Sequence, residues 1–63
     1  KSLIEHDVTI QNNTHISTGA ILNGNVTIGS NCFVGSGAVI KEGVKIANNS
    51  IISMGSIVKN DSI

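Results

Sequence analysis

Read in sixes from Ile4, the chain sets an aliphatic residue at the head of every block: Ile4, Ile10, Ile16, Leu22, Ile28, Val34, Ile40, Ile46, Ile52 and Val58. Ten such blocks fill residues 4–63 without an insertion. Apolar residues make up 40% of the chain, so this column alone would arise by chance about once in 10⁴ trials for a given register. The fourth place is Asp7, Asn13, Gly19, Asn25, Asn31, Gly37, Gly43, Asn49, Gly55 and Asp61, always Asn, Asp or Gly. The fifth is small or β-branched throughout: Val8, Thr14, Ala20, Val26, Cys32, Ala38, Val44, Ser50, Ser56 and Ser62.

A six-residue period predicts a parallel β-solenoid, in which short strands separated by corners stack coil upon coil. Strand alternation turns the fifth residue of one block and the first of the next inward, one small and one large, and leaves the residue between them facing out. The corner falls at the third and fourth places, where a left-handed backbone favours Gly, Asn and Asp. Asn23-Gly24 would mark a hairpin in another sequence, but here it occupies a corner that recurs every six residues. Proline is absent, as suits strands that pair on both edges. The pattern closely resembles the hexapeptide-repeat acyltransferases. That resemblance implies an all-β fold, a left-handed parallel β-helix of triangular section, although the general crossover rule favours the right hand. It also implies three blocks per coil, so that residues eighteen apart stack at about 4.8 Å. The coils then run over 4–21, 22–39 and 40–57, with a partial coil over 58–63.

Sixty-three residues make one domain at most, and a chain so short buries little surface unless it is stapled or oligomeric. A single cysteine excludes an internal disulfide. Cys32 falls in the small inward column and reads as a packing thiol, not a nucleophile. The formal charge is zero and Phe33 is the one aromatic residue, which leaves neither an electrostatic footprint nor a stacking platform for nucleic acid. No apolar run approaches the ~20 residues that span a bilayer, and no secretory signal is present, so no membrane partner and a cytoplasmic location are expected. Sequons at Asn12, Asn25, Asn48 and Asn60 follow from an Asn-rich set of corners. The chain starts at Lys1 and stops in mid-coil at Ile63, as a piece of a larger protein would. No residue stands out as a cap for the open sheet edge at either end.

The outward residues sort by side of the prism. One side carries Ile21, Val39 and Ile57, the next Thr9, Thr27 and Lys45, and the third His15, Phe33 and Ile51. Two sides are apolar, and they meet at the corner Thr18-Gly19, Ser36-Gly37, Met54-Gly55. A continuous apolar stripe outside a closed solenoid requires a partner. A ring of copies with that corner toward its axis covers both stripes at once through heterologous contacts that close. The resemblance likewise implies a homotrimer; cover by a further domain is the alternative.

Two histidines are available for chemistry. His6 lies at the corner between the Ile-rich and polar sides, and His15 at the centre of the third side, about 15 Å away within one chain. In a ring, His6 of one subunit and His15 of its neighbour face the same cleft. Glu5 and Asp7 flank His6, so a carboxylate can fix its tautomer and raise its basicity. Eighteen residues on, the stacked corner is Gly24, which has no side chain to block a ligand and offers a backbone N–H to an oxyanion. An exposed corner histidine without a role is the alternative reading.

The segments Ile4-Glu5-His6-Asp7, Thr14-His15-Ile16-Ser17, Gly19-Ala20 and Asn23-Gly24-Asn25-Val26 resemble the sialic acid O-acetyltransferase and bacillosamine-pathway sugar N-acetyltransferase group. The resemblance covers residues 3–60. It implies that His6 is the general base toward a sugar amine or hydroxyl and that Asp7 orients it, being one methylene shorter where relatives carry Glu. It implies that His15 lies beside the acetyl-CoA thioester and that Gly24 N–H binds the thioester carbonyl. Ser36, Gly37, Met54 and Gly55 then line the path of the pantetheine arm. Acetyl-CoA is the implied co-substrate, a nucleotide-linked sugar the implied acceptor, and transfer is direct. Relatives carry a nucleotide-sugar-binding domain before the helix, and none of its sequence falls within residues 1–63.

A metal-dependent solenoid enzyme needs three His ligands per site, which two histidines on different sides do not supply, so no metal is expected. A surface-binding solenoid needs an unbroken outward rank of Thr, and the rank Thr9, Thr27 ends at Lys45. The remaining alternative to an acetyltransferase is a non-catalytic trimerising scaffold or an inactive fragment.

Overall fold

A computed structural model describes residues 2–61. It contains ten strands of two residues, one to each block: β1 (Leu3–Ile4), β2 (Thr9–Ile10), β3 (His15–Ile16), β4 (Ile21–Leu22), β5 (Thr27–Ile28), β6 (Phe33–Val34), β7 (Val39–Ile40), β8 (Lys45–Ile46), β9 (Ile51–Ile52) and β10 (Ile57–Val58). They form three parallel sheets, β1-β4-β7-β10, β2-β5-β8 and β3-β6-β9. Every pairing joins residues eighteen apart, as in Leu3↔Ile21, Thr9↔Thr27 and His15↔Phe33. The chain is therefore an all-β parallel solenoid of about three turns, three blocks to a turn.

The ladder does not stop at the strand ends. At the corners Asn25 N–H donates to His6 O at 3.1 Å, Gly37 N–H to Thr18 O at 3.1 Å and Gly55 N–H to Ser36 O at 2.8 Å. The fourth-place residue thus donates to the third-place carbonyl of the coil before it, which requires the sharp corner. Nine fourth-place residues, Asp7 through Gly55, have positive φ.

Those nine corners divide into two kinds. At Gly19, Gly37, Gly43 and Gly55, φ is 70–79°, and the fifth-place N–H closes the turn at 3.2 Å on the second-place carbonyl, as in Ala20 to Ser17 and Val44 to Lys41. This is the type II turn, which wants Gly at its third residue. At the Asn and Asp corners φ is 57–63°, the left-handed helical value these side chains tolerate, and no closing bond forms.

Inward-facing residues alternate large and small as the pattern requires. Leu22, Ile28, Val34, Ile40, Ile46 and Ile52 from the first place, with Ala20, Val26, Cys32, Ala38 and Val44 from the fifth, make up the buried core. In the first described coil Ile4 is 46% exposed, and Ile10 and Ile16 are only partly buried. Three polar members of the small column donate to backbone carbonyls: Thr14 Oγ1 to Gly29 O at 2.6 Å, Cys32 Sγ to Ala47 O at 3.1 Å and Ser50 Oγ to Ala47 O at 2.7 Å. Cys32 is a buried free thiol.

Two details depart from the sequence pattern. Asp61 occupies a fourth place but is not among the positive-φ residues. Its Oδ1 instead accepts the N–H of Lys45 at 2.8 Å, on the outermost strand of the second sheet. Among the described residues, that backbone N–H is therefore partnered by the side chain of a corner residue. Of the partial coil over 58–63, Ser62 and Ile63 lie outside the described residues.

Candidate functional site

The corner between the first and second sheets stacks Glu5-His6-Asp7, Asn23-Gly24-Asn25 and Lys41-Glu42-Gly43 in successive coils. The ladder bonds from Asn25 N–H to His6 O and from Gly43 N–H to Gly24 O, at 3.0–3.1 Å, hold the three in register. His6 Nδ1 lies 3.2 Å from Asp7 Oδ2, with both side chains largely in solvent. The Asp7 backbone sits at φ 57°, and the contact leaves Nε2 as the ring nitrogen without a hydrogen-bond partner among the described residues.

Gly24 is buried directly beneath this ring. A Cβ placed on it would stand 2.7 Å from His6 Nε2 and 2.8 Å from Cε1. A glycine is needed here for close approach, since its φ is not positive. The N–H of Gly24 takes no part in the backbone ladder, whereas its neighbours Asn23 and Asn25 both donate.

Glu5, His6, Asn23, Gly24, Lys41 and Glu42 line an open recess of about 420 Å³. Asn23 Nδ2 is committed to Ile40 O at 2.9 Å. Lys41 and Glu42 were not singled out from the sequence, although they stand in the columns of Glu5 and His6 two coils on. An eighteen-residue periodicity applied to Glu5 and His6 finds them.

His15 projects from the outer face of the third sheet, away from this corner, so one chain does not bring the two histidines together. Its ring stacks on Phe33, with centroids 5.2 Å apart and planes 7° from parallel. Ser36, Gly37, Met54 and Gly55 occupy the corner between the third and first sheets. All four are exposed, and a Cβ added at Gly37 or Gly55 would meet nothing within 4 Å. The N–H groups of Ser36 and Met54, like that of Gly24, stand outside the ladder. Around this corner Ile51 (78%), Met54 (76%), Ile57 (67%) and Phe33 (45%) are the most exposed large apolar residues beyond the N-terminal coil.

Among the described residues, no three His, Cys, Asp or Glu side chains gather as a metal site. No helix is long and apolar enough to cross a membrane.

The profile of the bacterial transferase hexapeptide (six repeats) family matches residues 7–42 and, in a second placement, residues 25–60. No curated protein matches the chain, and no solved structure does.

Proposed function

The chain belongs to the bacterial transferase hexapeptide family, and from that premise we propose that it transfers an acetyl group from acetyl-CoA to an amine or hydroxyl of a nucleotide-linked sugar. The observation that carries this reading is the His6–Asp7 pair seated over Gly24 at the lip of the recess. The motif resemblance to the sialic acid O-acetyltransferase and bacillosamine-pathway group supplies the sugar acceptor.

In the proposed reaction His6 Nε2 removes the proton from the acceptor nitrogen or oxygen as that atom attacks the thioester carbonyl. Asp7, 3.2 Å from Nδ1, holds the proton on that nitrogen and stabilises the imidazolium that forms. The unused N–H of Gly24 binds the oxyanion of the tetrahedral intermediate. Collapse breaks the carbon–sulfur bond and releases CoA as the thiolate, which His6 or water protonates. No acyl-enzyme forms, and the buried Cys32 takes no part.

The site is completed between subunits of a homotrimer. The apolar first and third sheets meet at the Ser36-Gly37, Met54-Gly55 corner, and closing a ring about that corner covers both. His15 of the neighbouring subunit then lies beside the thioester. The unused N–H groups of Ser36 and Met54, on a flank left open at Gly37 and Gly55, suit the amide carbonyls of a pantetheine arm.

The test is thiol release from acetyl-CoA with a panel of nucleotide-linked amino sugars and free sialic acid. General base catalysis is worth roughly 10²–10⁴-fold, so His6→Ala loses turnover by that factor while calorimetric acetyl-CoA binding persists. Unchanged turnover removes the assignment. A trimer that binds no acetyl-CoA identifies the solenoid as a non-catalytic scaffold.

A further inference from the structure

We propose that Phe33 is the positioning residue of His15, fixing the plane of its imidazole against the third sheet. The inference rests on the reading of His15 as the side chain beside the thioester. β3 pairs with β6, and the residue across the ladder from His15 is Phe33. The rings lie face to face, 5.2 Å between centroids and 7° from parallel. This separation is within the range preferred by offset aromatic pairs.

Among the described residues no hydrogen bond or ion pair holds the His15 ring. His6 has the carboxylate of Asp7 at 3.2 Å, whereas the His15 side chain has no hydrogen-bond partner among the described residues. A stack is well suited to the task. It restrains the tilt of the imidazole through its face and leaves both nitrogens, which lie on the rim, free for a ligand. Ile51 continues the column beyond Phe33. An aliphatic side chain at position 33 would cover the same sheet but could not select a ring plane.

The experiment compares Phe33→Leu, Phe33→Tyr and His15→Ala in the whole chain, with acetyl-CoA as the probe. Affinity is read by calorimetry, oligomer mass by light scattering, and the His15 Cε1–H resonance by NMR of the free protein. Phe33→Leu is expected to move that resonance downfield, out of the shielding of the facing ring, and to weaken acetyl-CoA binding roughly two- to tenfold. Phe33→Tyr keeps both near the native values, within about twofold in affinity. Loss of the shielding with unchanged affinity, while His15→Ala still weakens binding, overturns the positioning role and leaves the reading of His15 standing. Unchanged affinity in His15→Ala overturns both. A fall in affinity shared by the tyrosine variant and accompanied by loss of the oligomer shows that Phe33 acts through packing between subunits and not through the plane of the His15 ring, and overturns the proposal.

Discussion

The contact between His6 and Gly24 separates a chemical role from a structural one. The atoms nearest the Cβ of an alanine at position 24 would be Nε2, Cε1 and Cδ2 of the His6 ring, the far end of a side chain that lies mostly in solvent. The ring can swing aside without moving the backbone, and Gly24 has no positive φ to strain. Gly24→Ala is therefore expected to leave the thermal midpoint nearly unchanged while displacing the imidazole by an ångström or more. A misplacement of about 1 Å in a catalytic group lowers turnover on the order of 10²-fold. Turnover and thermal melting on one preparation check this, and equal losses in both would make Gly24 a packing residue only. The adjacency of His6 and Asp7 and the column that puts Gly24 beneath them are legible in the sequence. That the ring folds down onto Gly24, and that His15 lies against Phe33, are rotamer choices, which a residue pattern does not encode.

At the scale of the corner, the fourth column reads as one class, Asn, Asp or Gly, and the structure divides it. Glycine corners reach φ 70–79° and close with a 3.2 Å bond, while Asn and Asp corners stay at 57–63° and remain open. Gly43 has nothing within 4 Å of its missing Cβ at φ 79°, so Gly43→Ala isolates the backbone term, about 1–2 kcal/mol. Gly35→Ala is expected to be worse. Its Cβ would stand 2.5 Å from Met54 N and 2.8 Å from Ile52 O, backbone atoms that must move and that would break the 2.8 Å bond from Gly35 N–H to Ile52 O. Asn31→Gly, at φ 58°, stays within about 0.5 kcal/mol because glycine reaches that conformation freely. Urea midpoints of the three variants rank these effects, and a Gly43 variant as stable as the native chain would contradict the strain argument. Strand positions and core columns follow directly from the sixfold period, since each place has one fixed orientation, whereas the eighteen-residue register is what the family resemblance implies. The use of Asp61 to cap Lys45 N–H does not follow, because the same residue type serves both a corner and an exposed edge.

For the whole molecule, the distribution of exposed apolar surface is the deciding quantity. A chain of this size has a thin core, and its inward columns lose burial toward the ends, as the partly buried Ile10, Ile16 and Val58 show. Meanwhile Ile51 and Ile57, on the third and first sheets, remain 78% and 67% exposed with Met54 at the corner between them. The second sheet carries Thr9, Thr27 and Lys45 in the same outward places, so the asymmetry is one of side and not of coil. The proposed trimer covers the two apolar sheets and leaves the polar one in water. Light scattering is then expected to give three times the chain mass of 6.5 kDa. Ile57→Glu puts a carboxylate into the covered stripe, where an unpaired charge is strongly unfavourable, and should reduce the mass to that of one chain. Thr9→Glu, on the polar sheet, should leave it unchanged. Because the proposed pantetheine path uses one subunit's corner and another's histidine, the Ile57 variant should also lose acetyl-CoA binding although His6, Asp7 and Gly24 are all intact. A monomeric Ile57 variant that still bound acetyl-CoA would confine the site to a single chain, and a trimer lost in the Thr9 variant instead would place the interface on the second sheet.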